Sequence, residues 1–348
     1  MKETIGFGII GAGMISEVHA KAMSCLKNVR LIGIYDSYAP AAQARAAQFG
    51  VKAYTNLKDF LADTEIDAVT IAIPSGAHYS AVLAAARAGK HILCEKPLEI
   101  NLERVDDMIR ECEENKVLLS AIFQTRFSKP VQLVREAMRA GRFGRMVLAS
   151  GMQRWYREPK YYSSSDWRGT WALDGGGALM NQAIHMVDLL LYINGAPEEV
   201  FAFSGTLTHS IEVEDNLCAS IKYRNGSFGT IEVSNSCAPG FSRRIEFSGS
   251  TGSVAFEENR IVRWDFVNPI PEDEEIRKEL FAPVSSHAGT DPTNVCSQGH
   301  ASQISDLADA ILTGKELVLD GREGRRAIEF ICGTYESART GKPFFFKR

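Results

Sequence analysis

The sequence predicts an α/β chain in two domains: a doubly wound parallel sheet over residues 1–123, then an α+β domain over 124–348 with a large, mainly antiparallel open sheet. Three observations predict it. At 348 residues the chain exceeds one ordinary domain, and each part is long enough to bury a core. Up to Phe123, short apolar runs alternate with amphipathic stretches, the rhythm of strand-helix-strand units. Beyond Lys129 to Ala140, which reads as a helix, the runs lengthen and alternate apolar with polar, as antiparallel strands do.

Strands of the first domain are expected at Ile5 to Ile10, Arg30 to Tyr35, Ala68 to Ile73, His91 to Cys94 and Val117 to Phe123. The unbroken run through Ala68-Val69-Thr70-Ile71 argues for burial on both faces, as helices above and below a parallel sheet produce. In the second domain, strands are expected at Val200 to Leu207, Asn216 to Tyr223, Ser227 to Val233, Arg243 to Ser248 and Ser253 to Phe256. Asn225-Gly226 marks a hairpin, because both residues accept positive φ. Gln303 to Leu312 and Arg325 to Ala338 read as late helices, and the acidic stretch Pro271 to Glu275 as a solvated surface segment.

Lys and Arg number 39 against 43 Asp and Glu, a net charge of −4 with no basic run, so a nucleic-acid partner is not expected. The seven cysteines (Cys25, Cys94, Cys112, Cys218, Cys237, Cys296, Cys332) show neither paired nor metal-ligand spacing. Reduced thiols, no metal site and a cytoplasmic location are the expectation. No segment reaches the roughly 18 apolar residues of a membrane span, so no membrane partner is expected.

Gly11-Ala12-Gly13 lies between the first strand and the helical run Glu17 to Leu26. Gly11 permits a tight turn, Gly13 lets the backbone approach a pyrophosphate, and Met14 and Ile15 open a helix whose N-terminal amides and dipole favour an anion. Ser16 stands where a third glycine governs close helix packing. The second strand ends at Asp36, about 20 residues on, where an acid accepts hydrogen bonds from an adenine ribose. This is the fingerprint of a Rossmann dinucleotide site. Asp36 favours NAD by repelling the extra phosphate of NADP, while nearby Ser37 leaves NADP use open.

Two further segments fall at strand ends, where open parallel sheets bind ligands. Ile73-Pro74 closes the strand Ala68 to Ile73 and brings small residues toward the nicotinamide side, with His78 opening the next helix, whether for function or as part of a plain turn. Glu95-Lys96-Pro97 follows His91 to Cys94, and the Lys96 ammonium suits a substrate hydroxyl. In the second domain, Gly175-Gly176-Gly177 opens a helix on which Asn181 and His185, four apart, share one face. An imidazole there suits a hydroxyl proton.

Glycine loop, Glu-Lys-Pro turn and triple-glycine helix with its histidine, in this order, resemble the glucose-fructose oxidoreductase, inositol dehydrogenase and rhizopine-catabolism (Gfo/Idh/MocA) family over almost the whole chain. The resemblance implies a NAD(P)-dependent dehydrogenase acting on a secondary alcohol of a sugar, cyclitol or nucleotide sugar. It assigns Lys96 and His185 to the substrate and implies a cis Lys96-Pro97 peptide and a homodimer or homotetramer built on the open sheet. Asn181 departs from the inositol dehydrogenase pattern, in which an aspartate precedes the histidine by four residues; the asparagine still suits a substrate hydroxyl or His185. Trp167-Arg168-Gly169-Thr170-Trp171 with Gly175 to His185 is similar to members that oxidise UDP-linked N-acetylaminosugar acids, with Arg168 binding carboxylate or phosphate and Tyr161, Tyr162, Trp167 and Trp171 either stacking on a sugar or packing at the domain boundary. An NAD-retaining glycosidase that oxidises transiently and a non-catalytic dinucleotide-binding regulator are the alternatives.

Overall fold

Ile5-Gly6-Phe7-Gly8-Ile9-Ile10 is buried along its whole length, as a central strand with helices on both faces must be. It forms β1 (Ile5–Ile10) in the computed structural model, which describes residues 3–280 and 297–347; Cys296 lies outside the described residues. With it run β2 (Val29–Tyr35), β3 (Lys52–Tyr54), β4 (Ala68–Ile71), β5 (His91–Cys94) and β6 (Leu119–Ala121), every pair parallel, in the order β3-β2-β1-β4-β5-β6. That is the Rossmann order, with its switch point between β1 and β4. Of these six strands only β3 is not expected from the sequence: three residues on a sheet edge are too few and too exposed to show a period.

The core around Phe7, Ile9, Met23 and Leu93 is completed by Ile304, Leu307 and Ala308 of the helix Ser297–Thr313. Gln303 fastens that helix to the end of β6, its Nε2 donating to the Ala121 carbonyl and its Oε1 accepting the Phe123 N–H at 3.1 Å. Two compact units result among the described residues: 3–124 with 297–328, and 125–280 with 329–347. The chain therefore passes between units three times, where the sequence suggests one boundary at 123/124. Helical periodicity shows that a helix has a buried face but not which core it meets.

The second unit holds β7 (Met146–Arg154), β8 (Pro197–Gly205), β9 (Asn216–Tyr223), β10 (Phe228–Ser234), β11 (Arg244–Gly249), β12 (Gly252–Glu257), β13 (Arg260–Phe266) and β14 (Phe344–Phe345). Their order is β13-β12-β11-β7-β10-β9-β8-β14, antiparallel except for the β7/β10 pair. The β9/β10 hairpin turns at Asn225-Gly226, with Gly226 at φ 87° and Asn225 Oδ1 accepting the Ser227 N–H at 2.9 Å. Pro271, Glu272, Glu274 and Glu275 of the acidic stretch are exposed, as expected of a solvated segment, and Asp273 alone turns inward. The stretch opens the helix Glu272–Leu280, and Asp273 is buried, paired with Arg142 at 2.7 Å and accepting from Trp264 Nε1 at 2.6 Å. No helix among the described residues is long and apolar enough to cross a membrane.

Leu307 is fully buried in the first core although it lies far along the chain. Leu307→Ala is expected to lower the unfolding free energy by about 2–5 kcal/mol, read as a fall in the urea midpoint; a loss under about 1 kcal/mol would detach this helix from the core.

Candidate active site

In the first unit the sheet delivers the ends of β1, β2, β4 and β5 to one edge. Gly11, at φ 104°, makes the turn out of β1, and a Cβ there would sit 2.5 Å from the Ala72 carbonyl oxygen. At Gly13 a Cβ would meet nothing within 4 Å, and this residue begins the helix Met14–Ser24 without a side-chain cap. The open approach and the helix N-terminus form a cradle that fits a pyrophosphate. Ser16 is buried and its Oγ donates to the Gly13 carbonyl, so it tightens the loop where a glycine would only make room. Asp36 holds the same loop: one carboxylate oxygen accepts the Ala12 N–H and the other the Tyr38 N–H, each at 2.8 Å.

Past β4, Ile73 and Pro74 are half-buried, whereas His78 is 1% exposed. Its ring points inward, with Nε2 2.9 Å from the Ile73 carbonyl oxygen and Nδ1 3.0 Å from that of Pro97. His78 thus ties together the two strand-end segments singled out in the sequence. The Lys96-Pro97 peptide is cis. Glu95 is buried; Oε2 accepts the Lys96 N–H at 3.0 Å and Oε1 meets His19 Nε2 at 2.8 Å and His300 Nε2 at 3.4 Å. Burial by itself would raise the Glu95 carboxyl, but the hydrogen bonds from His19 and His300 outweigh it and hold the group well below the usual range. Burial pushes His19 down, so it donates as a neutral ring, and its Nδ1 accepts from Thr70 Oγ1 at 2.9 Å. His19, Glu95 and His300 place three donor atoms within 4.8 Å of one another, a grouping that could hold a metal ion; His19 hydrogen-bonds Glu95 and His300 lies 3.4 Å from the same oxygen.

In the second unit the segment after the glycines differs from the single helix the spacing suggests. A π-helical turn, Ala178–Gln182, carries Asn181; after Ala183, a separate α-helix, Ile184–Asn194, carries His185. The four-residue spacing therefore does not place them on one regular face, because the wider π turn changes the angle per residue. Asn181 Nδ2 donates to Asp174 Oδ1, whose other oxygen accepts the Gly169 N–H at 2.9 Å. Beneath the turn, Glu214 accepts the Gly177 and Leu179 N–H groups, each at 2.8 Å, and the Tyr335 hydroxyl at 2.9 Å. Burial pushes its carboxyl up to about 7 against those donors. The His185 helix is anchored by Asp188, which receives a buried Arg126 guanidinium through both oxygens.

Arg168 and Trp167 are half-buried; the Arg168 guanidinium lies 4.5 Å from the Tyr161 ring centre and donates to Ser164 Oγ at 2.7 Å. Arg157 faces the same ring at 5.6 Å. Tyr161 also accepts from Gln182 Nε2 at 3.1 Å, which links this cationic aromatic patch to the π turn. Sequence reasoning missed Asp174, Glu214, His19 and His300. Only Asp174, directly before the glycine run, left a local signal.

The Rossmann order and the glycine cradle define a dinucleotide-binding protein. Residues 5–123 match the Gfo/Idh/MocA model, an oxidoreductase family with an NAD-binding Rossmann fold, and residues 131–255 match the Gfo/Idh/MocA C-terminal domain. Inositol 2-dehydrogenase of Rhizobium meliloti is 29% identical over 93% of this chain and 94% of its own. Myo-inositol 2-dehydrogenase of Thermotoga maritima is 30% identical over 72% and 75%. The WlbA dehydrogenase of Bordetella pertussis, solved with NADH and UDP-GlcNAcA, superposes with a TM-score of 0.90 at 33% identity, covering 99% of this chain and 98% of that one. The chain belongs to the Gfo/Idh/MocA oxidoreductase family, and its cofactor is NAD.

Glu214 supplies a pH test. Its folded pKa of about 7 lies above the ordinary value of 4.5, so between these the folded state keeps a proton that the unfolded chain gives up. Its contribution is complete below 4.5 and lost as pH rises through about 7, on the order of 3 kcal/mol in all. Measured from pH 4.5 to pH 8, the difference in unfolding free energy is expected to move toward Glu214→Gln by that order; a pH-independent difference refutes the assignment.

Proposed function

We propose that this protein reversibly oxidises a secondary alcohol carbon of an acid-bearing sugar, a UDP-linked sugar acid in the first instance. The observation that carries this reading is the Arg168 guanidinium over Tyr161, beside a turn and helix bearing Asn181 and His185. The full-length likeness to WlbA dehydrogenases solved with NADH and UDP-GlcNAcA supports it. Bound at this cradle, NAD would supply the hydride-accepting chemistry. Gly11, Gly13, Met14 and Ile15 receive the pyrophosphate, Asp36 the adenine ribose, and Ile73 with Pro74 line the nicotinamide side; Asp36 selects NAD over NADP by charge repulsion. Lys96 hydrogen-bonds the reacting oxygen and lowers the cost of negative charge there. His185 takes the hydroxyl proton, and Asn181, steadied by Asp174, orients a neighbouring hydroxyl. Arg168 receives the carboxylate or phosphate bidentately, and Trp167 stacks on the sugar.

The partner we propose is a second copy of the chain, in a homodimer or homotetramer. The outer face of the eight-stranded sheet supports it: Phe203, Phe228 and Leu148 are 70%, 58% and 49% exposed, and Phe228 and Leu148 are register neighbours. Light scattering is expected to give two or four chain masses, and a monomer rejects this. The cytoplasm is the proposed location, in keeping with Cys25, Cys94, Cys112, Cys218 and Cys237, which remain thiols.

The decisive measurement is NADH formation from NAD with UDP-GlcNAcA, myo-inositol and simple hexoses. UDP-GlcNAcA is expected to be preferred, and Lys96→Ala and His185→Ala each to lose about 100-fold or more in kcat. Preference for myo-inositol would replace the substrate class. Undiminished turnover in both variants would remove the residue roles.

A further inference from the structure

The first unit contains three buried histidines that the dehydrogenase reading does not use: His19, His78 and His300, at 0%, 1% and 1% exposure. They come from three helices, Met14–Ser24, His78–Arg87 and Ser297–Thr313. All three converge on one short segment. His19 and His300 reach Glu95 Oε1 at 2.8 and 3.4 Å, while Glu95 Oε2 holds the Lys96 N–H at 3.0 Å. On the other side, His78 Nδ1 lies 3.0 Å from the Pro97 carbonyl oxygen and 3.3 Å from that of Leu98.

We propose that His19, His78 and His300 are positioning residues for Lys96, clamping the Glu95-Lys96-Pro97 turn from three helices. The proposal rests on the reading of Lys96 as the group that meets the reacting oxygen. A lysine side chain is long and flexible, so the placement of its ammonium depends on a backbone that does not drift. Here the residue before Lys96 is held through its side chain and the residue after it through its carbonyl. The clamp also shares an element with the cofactor cradle, because His19 projects from the helix that begins at Gly13. Neutral His19 keeps its Nε2–H on Glu95 by accepting from Thr70 through Nδ1. The ionisable groups around the Glu95 carboxylate are His19, His300 and Cys94, whose thiol is pushed well up by burial and by Glu95.

Amide exchange tests the clamp without a substrate, using wild type, Glu95→Gln, His300→Leu, His300→Gln and the double variant Glu95→Gln/His300→Leu. Protection of the peptide spanning residues 94–100 is expected to fall about tenfold or more in His300→Leu, to survive within about threefold in His300→Gln, and to fall no further when His300→Leu is added to Glu95→Gln. With UDP-GlcNAcA as substrate, kcat should follow the same pattern while NADH affinity stays within about threefold of wild type. Should His300→Leu not fold, His300→Asn, whose shorter amide cannot reach Glu95, replaces it. Unchanged exchange in this peptide overturns the proposal, as do losses that multiply in the double variant. So does zinc retained by wild type through gel filtration and not by His300→Leu, which would make the cluster a metal site. Lys96→Ala run alongside separates the two readings: if it turns over normally, the role of Lys96 falls whatever the exchange data show.

Discussion

A carboxylate taken out of water must be met by donors, and the buried Glu95 carboxylate imposes that demand on the whole first unit. Leaving it unpaired would cost several kcal/mol. Satisfying it requires three stretches of chain to meet: His19 on the cofactor helix, Glu95 at the end of β5, and His300 on a helix that returns after the second unit has been built. The same carboxylate accepts the backbone N–H of Lys96, so the groups that make its burial tolerable also determine where the reactive turn stands. The late helix is therefore part of the dinucleotide unit for an electrostatic reason as well as for the apolar one that Ile304 and Leu307 supply.

The second unit answers the same demand with other donors and reaches a different result. Glu214 takes two N–H groups at the start of the π turn, where helices leave donors unsatisfied, and one from the Tyr335 phenol. Amides and a phenol do not offset burial as two imidazoles do, so Glu214 is pushed up to about 7 while Glu95 is held well below its ordinary value. One buried acid is an ionised anchor and the other a group that titrates near neutrality.

What could be read in the sequence was local. The residues of β1, β5 and β9 stand within the expected runs because burial on one or both faces writes itself into successive residues. Gly11, Gly13 and Asp36 were legible because a turn with positive φ and a fixed spacing need particular residue types. β3 and β14 are too short to carry a period, and the π turn breaks the regular spacing by which Asn181 and His185 were grouped. His19, His300 and Glu214 looked like single polar residues in amphipathic surroundings, since their partners lie tens to hundreds of residues away. Pairing at such separations has no local signature.

Asn181 shows how such a distant partner alters the meaning of a substitution. Against the aspartate of inositol dehydrogenases it reads as a lost carboxylate, yet Asp174 lies within hydrogen-bond reach of its amide. An aspartate at 181 would set two carboxylates against each other, and at that separation they could not both ionise. The asparagine avoids the conflict by donating to Asp174 and keeps its own carbonyl oxygen as an acceptor. Asp174 is then the one carboxylate of this pair, where an aspartate at 181 would make two. Arg168 and Arg157 face Tyr161 in the same unit, so two guanidinium groups lie on one ring there.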